Sequence, residues 1–430
     1  MLGCGLRKLR RLWLLEIVAA TVVAFTAAGC SWASEPALRL SVVPRIGLVD
    51  RARAITISGL SLGERVTLEA QVTLPGSVFG SRTVFRANRH GRVDLATAAP
   101  VSGAYHNPSA MGPFWSASFE HRGGPAFATN GVTRLTATTA DGRTSSVTVT
   151  QNTLAAGVTV QNETLAAQGF VGAYFTPARL HPHGPSMVIW GGSEGGDEDL
   201  FTEAALLASH GIPTLALAYF DEPGLPCSLS NIPIEYFVKA IRWLQQQPGI
   251  DPDRVWAWGT SRGSEALGLV ASHFPRLLHG IIDASASSVI YASVRGNCTT
   301  TTPVAWTLDG KPIAAVTGTF PVAPSFNSPG TIPFGRYHGA VLLVSGSDDG
   351  LWPSDGYENV IMRELRADPI AHVHLNYPKA GHADLGPPYL PVPPNSDDHG
   401  TLVSFGGTPA GNEDAREHDW PAMLRFIKSH

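Results

Sequence analysis

The pentapeptide Gly259-Thr260-Ser261-Arg262-Gly263 constrains this chain most, because of what flanks it. Residues 254–258 are a short apolar run that reads as a strand, and residues 264–273 carry helical spacing. A G-x-S-x-G turn between strand and helix has to be sharp. Its glycines let the backbone turn without a clash, and the serine hydroxyl is lifted clear of the sheet. The helix that follows presents unpaired N–H groups where negative charge can develop. The bland alternative is a Gly-Ser loop that caps a helix.

The surrounding pattern supports the sharper reading. After about Gly169 short strands (186–190, 213–219, 278–283, 340–344, 372–377) alternate with helical stretches (200–210, 234–246, 357–366, 420–428). That alternation implies a mostly parallel sheet with helices on both faces, the α/β-hydrolase fold. From about residue 38 to 151 the pattern is all-β instead. Runs such as 54–58, 65–72, 83–87, 116–119 and 147–150 are separated by Ser61-Leu62-Gly63, His90-Gly91 and Asp141-Gly142. They predict an immunoglobulin-like β-sandwich. The expected division is a leader over 1–30, a sandwich over 35–155 and a catalytic domain over 165–430. Residues 298–337 show no periodicity and are expected to cap the sheet's C-terminal edge together with 223–231. Another long irregular segment begins at Pro387.

A serine hydroxyl is a poor nucleophile until a base takes its proton. Among 15 histidines, His382 stands just past the last strand, in Pro378-Lys379-Ala380-Gly381-His382. His399 and His418 are rivals in a long loop and at the start of the final helix. His372 and His374 share a strand face without a third ligand, so no metal is implied. The acid should follow a strand between serine and histidine. Asp349, three residues past Gly346, is favoured over Asp348, and Asp283 is a rival one strand earlier. The oxyanion donors should be the backbone N–H of Arg262 and an N–H of the glycine-rich turn 191–196, from Gly192 or Ser193. That turn lacks both the dinucleotide and the P-loop spacing.

Composition bounds the rest. Charged residues make up 15% of the 430, against roughly 25% in an average soluble protein, which suits a secreted chain. A net charge of −4 offers no basic surface for nucleic acid. Arg7, Lys8, Arg10 and Arg11 precede an apolar stretch from 12 to 28, and Ala27-Ala28-Gly29-Cys30 resembles a bacterial lipobox. Arg10-Arg11-Leu12-Trp13-Leu14 is similar to a twin-arginine signal. The expectation is an exported chain, secreted or held in the cell envelope by a lipid on Cys30, with no other membrane association. Of the four cysteines, Cys4 lies in the leader, and Cys227 and Cys298 remain to pair in an oxidising compartment.

Several further segments resemble the acyl-CoA thioesterase and bile acid-CoA:amino acid N-acyltransferase family. They are Ile46-Gly47-Leu48-Val49-Asp50, Ile57-Ser58-Gly59-Leu60, Met111-Gly112-Pro113-Phe114-Trp115, and Ile232-Pro233-Ile234-Glu235-Tyr236-Phe237 followed by Asp251-Pro252-Asp253-Arg254-Val255. Ser347-Asp348-Asp349-Gly350-Leu351-Trp352, Gly381-His382 and Gly406-Gly407-Thr408-Pro409 extend the likeness to the C-terminus. The resemblance implies a sandwich joined to an α/β-hydrolase domain, with the second aspartate, Asp349, as the triad acid. Serine-bearing members mainly hydrolyse acyl-CoA, whereas the conjugating members use cysteine, so Ser261 implies hydrolysis through an acyl-enzyme. No cofactor is implied, and the partner is a small acyl thioester or ester. Export sets this chain apart, since CoA thioesters are chiefly intracellular. The alternatives are an exported carboxylesterase or acyltransferase on an extracytoplasmic lipid or acylated metabolite, or a non-catalytic binding lipoprotein. The last would be marked by a missing triad member, and none is missing.

Overall fold

Successive residues of the central strands in the C-terminal region enter opposite apolar layers, which is why those strands read as unbroken hydrophobic runs. The structure, a computed structural model, describes residues 37–123, 130–294, 298, 302–370, 372–392, 395–398 and 401–430. Residues 1–36, with Cys4 and Cys30, therefore lie outside the described residues, as does His399. The largest sheet comprises β1 (Thr159–Glu163), β2 (Val171–Thr176), β3 (Ser186–Trp190), β4 (Thr214–Ala218), β5 (Val255–Thr260), β6 (Gly280–Ala284), β7 (Ala340–Gly346) and β8 (His372–Tyr377). Their spatial order is β1-β2-β4-β3-β5-β6-β7-β8. The pairs β1/β2 and β2/β4 are antiparallel and the rest are parallel.

Val188, Trp190, Val255, Ala257, Ile281, Val341 and Leu343 pack on one face with Phe237, Ile241, Leu267 and Val270. Met187, Ile189, Trp256, Trp258, Ile282, Leu342 and Val344 pack on the other with Leu206, Trp420, Met423 and Ile427. Helices α1 (Phe201–Ser209), α2 (Ile234–Gln245), α3 (Arg262–His273) and α5 (Pro409–Ser429) supply these partners, and α4 (Ser354–Glu364) adds Ile361 to the first face. The first face takes α2 and α3, and the second takes α1 and α5. Each fully buried large aliphatic or aromatic side chain contributes roughly 1.5–3 kcal/mol, so the two layers hold the sheet that carries the site on its edge.

The N-terminal region is built from two sheets. Arg39–Val43, Ala54–Ser58 and Arg92–Asp94 form the smaller one. Seven strands, with Arg65–Leu74 and Asn130–Thr139 at the centre, form the larger one. Alternation sets their facing: Val66, Leu68, Ala70 and Val72 are buried along one strand and meet Leu40, Ile55, Ile57 and Val93 of the other sheet. Asp50 joins this region to the end of α1 and to α5. Its Oδ2 accepts from Trp420 Nε1 at 2.8 Å and lies 2.5 Å from His210 Nε2.

Three expectations need correction. Strand β1 belongs to the catalytic sheet although it precedes residue 165, and its residues 159–162 are exposed without apolar alternation, so only pairing with β2 makes it a strand. Helix α5 begins at Pro409 rather than near Trp420. Thr408 caps it by accepting the Gly411 N–H at 3.0 Å, and proline at the first helical position loses no hydrogen bond. Pro421 inside the helix conceals this continuity. The segment 298–337 is not wholly irregular: Trp306–Leu308 pairs with Ile232–Pro233 and Lys311–Pro312 in a small sheet of its own.

Candidate active site

Strand β5 delivers Ser261 and α3 starts at the next residue. Ser261 has φ 56° and ψ −124°, a conformation that costs a non-glycine residue roughly 1–3 kcal/mol and persists only where its surroundings impose it. The surroundings are tight. A Cβ on Gly259 would come within 2.9 Å of Gly263 O, and one on Gly263 within 2.2 Å of Gly191 O. Ser261 N donates to Ala284 O at 3.1 Å, and Trp190 Nε1 donates to Gly263 O at 2.8 Å. The elbow is thereby pinned to β6 and to the glycine-rich turn after β3.

His382 follows β8 on a loop held from several sides. Its N–H donates to Phe405 O at 2.7 Å, its carbonyl accepts from Ser285 Oγ at 2.8 Å, and Gly381 N donates to Asn412 Oδ1 at 2.8 Å. Its ring is buried, edge-on to Trp352 at 5.4 Å and stacked on Phe405 at 6.0 Å. Nε2 lies 2.7 Å from Ser261 Oγ, and Nδ1 lies 2.9 Å from Asp349 Oδ2. The other Asp349 oxygen, Oδ1, accepts from Leu351 N at 2.8 Å and Trp352 N at 3.2 Å. The structure thus brings together Ser261, His382 and Asp349, from three separate loops.

The rivals lie elsewhere. Asp348 is exposed, and the backbone is its tie to the site, through Ala380 O and Gly407 N. Asp283 is fully buried beside Gly259 in the sheet, with neither carboxyl oxygen hydrogen-bonded. Burial and then Glu358 push its carboxyl well above the usual range. His418 is exposed and bonds within its own helix to Asp414 O. His374 lies 2.7 Å from Ser345 Oγ and 2.9 Å from Glu358 Oε2.

Of the three expected oxyanion donors, the N–H groups of Arg262 and Ser193 make no hydrogen bond to another described residue, and both residues line the cavity that holds Ser261. The N–H of Gly192, the third, donates to Glu194 Oε1 at 2.6 Å. A carboxyl two residues downstream can fold back onto this turn only because Gly191 has no side chain: a Cβ there would lie 2.0 Å from the same oxygen. Sequence reading also missed Glu265. It pairs with Arg262 at 2.8 Å and accepts from Trp306 Nε1 at 2.7 Å, while Arg262 donates to Tyr291 O and Ala292 O. Burial lifts Glu265 to about 6 despite Arg262. This network fastens the capping segment to the elbow. Cys227 and Cys298 are bonded to each other.

The cavity measures about 870 Å³. Tyr291, Phe320, Trp352 and Phe405 form an aromatic wall beside Ser261 and His382, a lining suited to an apolar group.

A serine raised on a strand–helix elbow at the C-terminal edge of this sheet, with imidazole and carboxylate in reach, defines the class: the protein has the α/β-hydrolase fold. Its residues 50–164 match the family described as Acyl-CoA thioester hydrolase/BAAT N-terminal region, and residues 232–430 match BAAT / Acyl-CoA thioester hydrolase C terminal. It is 28% identical to acyl-coenzyme A thioesterase 1 of Rattus norvegicus over 88% of this chain and 93% of that protein. It is 27% identical to the bile acid-CoA:amino acid N-acyltransferase of Mus musculus over 91% and 97% of the two chains. The peroxisomal succinyl-coenzyme A thioesterase of Mus musculus is also 27% identical, over 89% and 94%. Among solved structures, a putative dienelactone hydrolase from Klebsiella pneumoniae aligns with a TM-score of 0.40 and 18% identity, over 64% of this chain and 99% of that one. The chain belongs to the acyl-CoA thioester hydrolase/BAAT family.

Proposed function

We propose that this protein is a serine-dependent thioesterase that cleaves acyl-CoA thioesters through an acyl-enzyme. The observation that carries the reading is the continuous line from Asp349 through His382 to Ser261, at 2.9 and 2.7 Å. With Nδ1–H given to Asp349, the imidazole keeps Nε2 as acceptor for the Ser261 proton. Oγ then attacks the thioester carbonyl, the C–S bond breaks, and His382 returns its proton to the departing thiolate. Water repeats the sequence on the acyl-serine and releases the carboxylic acid. Ser193 and Arg262 supply the N–H groups for the tetrahedral oxyanion, each worth about 2.7–4 kcal/mol. The aromatic wall receives the acyl chain.

A second reading is favoured by the Cys227–Cys298 bond, which belongs to an oxidising compartment. In it the protein is exported by residues 1–30, is lipidated on Cys30 or secreted, and acts as a carboxylesterase or acyltransferase on an extracytoplasmic acyl ester. The test is a hydrolysis screen of acyl-CoA thioesters beside oxygen esters of the same acyl groups, with Ser261→Ala as blank. Thioester turnover lost in the variant supports the first reading, and ester turnover alone supports the second. Turnover unchanged in pure Ser261→Ala protein refutes both.

A further inference from the structure

Glu194 is a titratable group in the cavity that the mechanism above leaves without a task. Its carboxyl lies against the turn that faces the nucleophile. A point one Cβ away from Gly192 is 2.8 Å from Ser261 Cβ, 3.2 Å from Ser261 Oγ and 3.1 Å from Glu194 Oε2, so carboxyl and nucleophile flank the same glycine. Oε1 accepts the Gly192 N–H at 2.6 Å. On the carbonyl side of the same two residues, Tyr219 Oη donates to Gly191 O at 3.1 Å and Gly192 O at 2.6 Å. The turn is therefore clamped from both sides, and the N–H of Ser193, the next residue, makes no hydrogen bond to another described residue at the cavity wall.

We propose that Glu194 is a positioning residue of the oxyanion hole: by holding the Gly192 N–H it excludes that group and fixes the Ser193 N–H as the partner of the Arg262 N–H. The inference rests on the serine reading above. It is chemically coherent because the clamp needs an acceptor oxygen rather than a negative charge. A full negative charge beside a developing oxyanion would oppose the reaction. Glu194 is solvent-exposed at the cavity, where water screens that charge. A glutamine at 194 keeps the acceptor oxygen, whereas an alanine removes it.

The test reads the hole independently of any natural substrate. An alkyl fluorophosphonate is attacked by the serine, its phosphoryl oxygen needs the same N–H donors, and fluoride leaves as the P–O bond forms. Labelling rates are measured for wild type, Glu194→Gln, Glu194→Ala and Ser261→Ala, with thermal unfolding of each. The expected result is a Glu194→Ala rate lower by on the order of 10–100-fold, since one donor is worth 10²–10³ in rate and is here misplaced rather than deleted. Glu194→Gln should stay within about 3-fold of wild type, and unfolding should be unchanged in both. With an acyl substrate the alanine loss should fall on kcat and leave KM near wild type. A Glu194→Ala rate equal to wild type overturns the inference, because the freed Gly192 N–H would then serve equally well. A Glu194→Gln rate as low as that of alanine overturns it too, because charge would then be the requirement. Absence of labelling in wild type sinks the serine reading and this inference with it, whereas equal labelling of all but Ser261→Ala sinks this inference alone.

Discussion

Asp349 holds His382 with one carboxyl oxygen and is itself held by the other: Oδ2 lies 2.9 Å from Nδ1, while Oδ1 accepts the N–H groups of Leu351 and Trp352. The acid cannot rotate away from the imidazole without breaking two backbone hydrogen bonds. Its neighbour Asp348 shares the loop but leaves its side chain in solvent.

That difference yields a paired prediction. Asp349→Asn should lower kcat by on the order of 10⁴, because the amide favours the wrong imidazole tautomer. Asp348→Asn should stay within about 3-fold of wild type. Comparable losses in both, measured on one ester or thioester substrate, would show that the acid has been assigned to the wrong residue.

The Cys227–Cys298 bond closes a sequence separation of 71 residues. In the chain-entropy account such a loop stabilises the fold by about 4 kcal/mol. Cys227→Ser/Cys298→Ser protein should accordingly unfold at lower temperature than wild type, and reducing agent should move wild type toward the variant. If a reductant leaves the wild-type melting temperature where it was, the bond is not stabilising the fold.

Asp283 should make stability fall with rising pH. Burial raises its carboxyl in the folded chain well above the unfolded value of roughly 3.9, so the folded protein keeps a proton that the unfolded chain releases. Its contribution is complete below the unfolded value and is lost as pH climbs toward the folded one. Asp283→Asn has no proton to lose, so its melting temperature should decline less than that of wild type between pH 5 and about 9. Parallel profiles would exclude this carboxyl as a source of the slope.

Asp50 ties the first sheet pair to the catalytic layer through Trp420 and His210. Asp50→Ala should cost about 2–3 kcal/mol, since it leaves the buried indole N–H without its acceptor. A urea midpoint shifted by less than the error of the titration would mean that water replaces the carboxylate there.

The sequence by itself determined the elements whose signal is local. The G-x-S-x-G turn identified Ser261 because only glycines at 259 and 263 allow a helix to start so close to a strand and to Gly191. The apolar runs of β3, β5, β6 and β7 reported a sheet buried on both faces, and their alternation of faces appears unchanged in the two hydrophobic layers. His382 was legible from its place after the last strand. Asp349 was favoured over Asp348 by its distance past Gly346 and by the family resemblance, since period and propensity alone do not say which of two adjacent aspartates turns inward.

Tertiary structure decided what depends on distant partners. Strand β1 exists because β2 offers it an edge, not because of its own exposed residues. Glu265 and Trp306 are far apart in sequence, and their hydrogen bond fastens the capping segment over the elbow. The choice among Gly192, Ser193 and Arg262 as donors was likewise closed to sequence reading. All three carry the same backbone N–H, and only the fold shows that a carboxyl from Glu194 has already taken one of them.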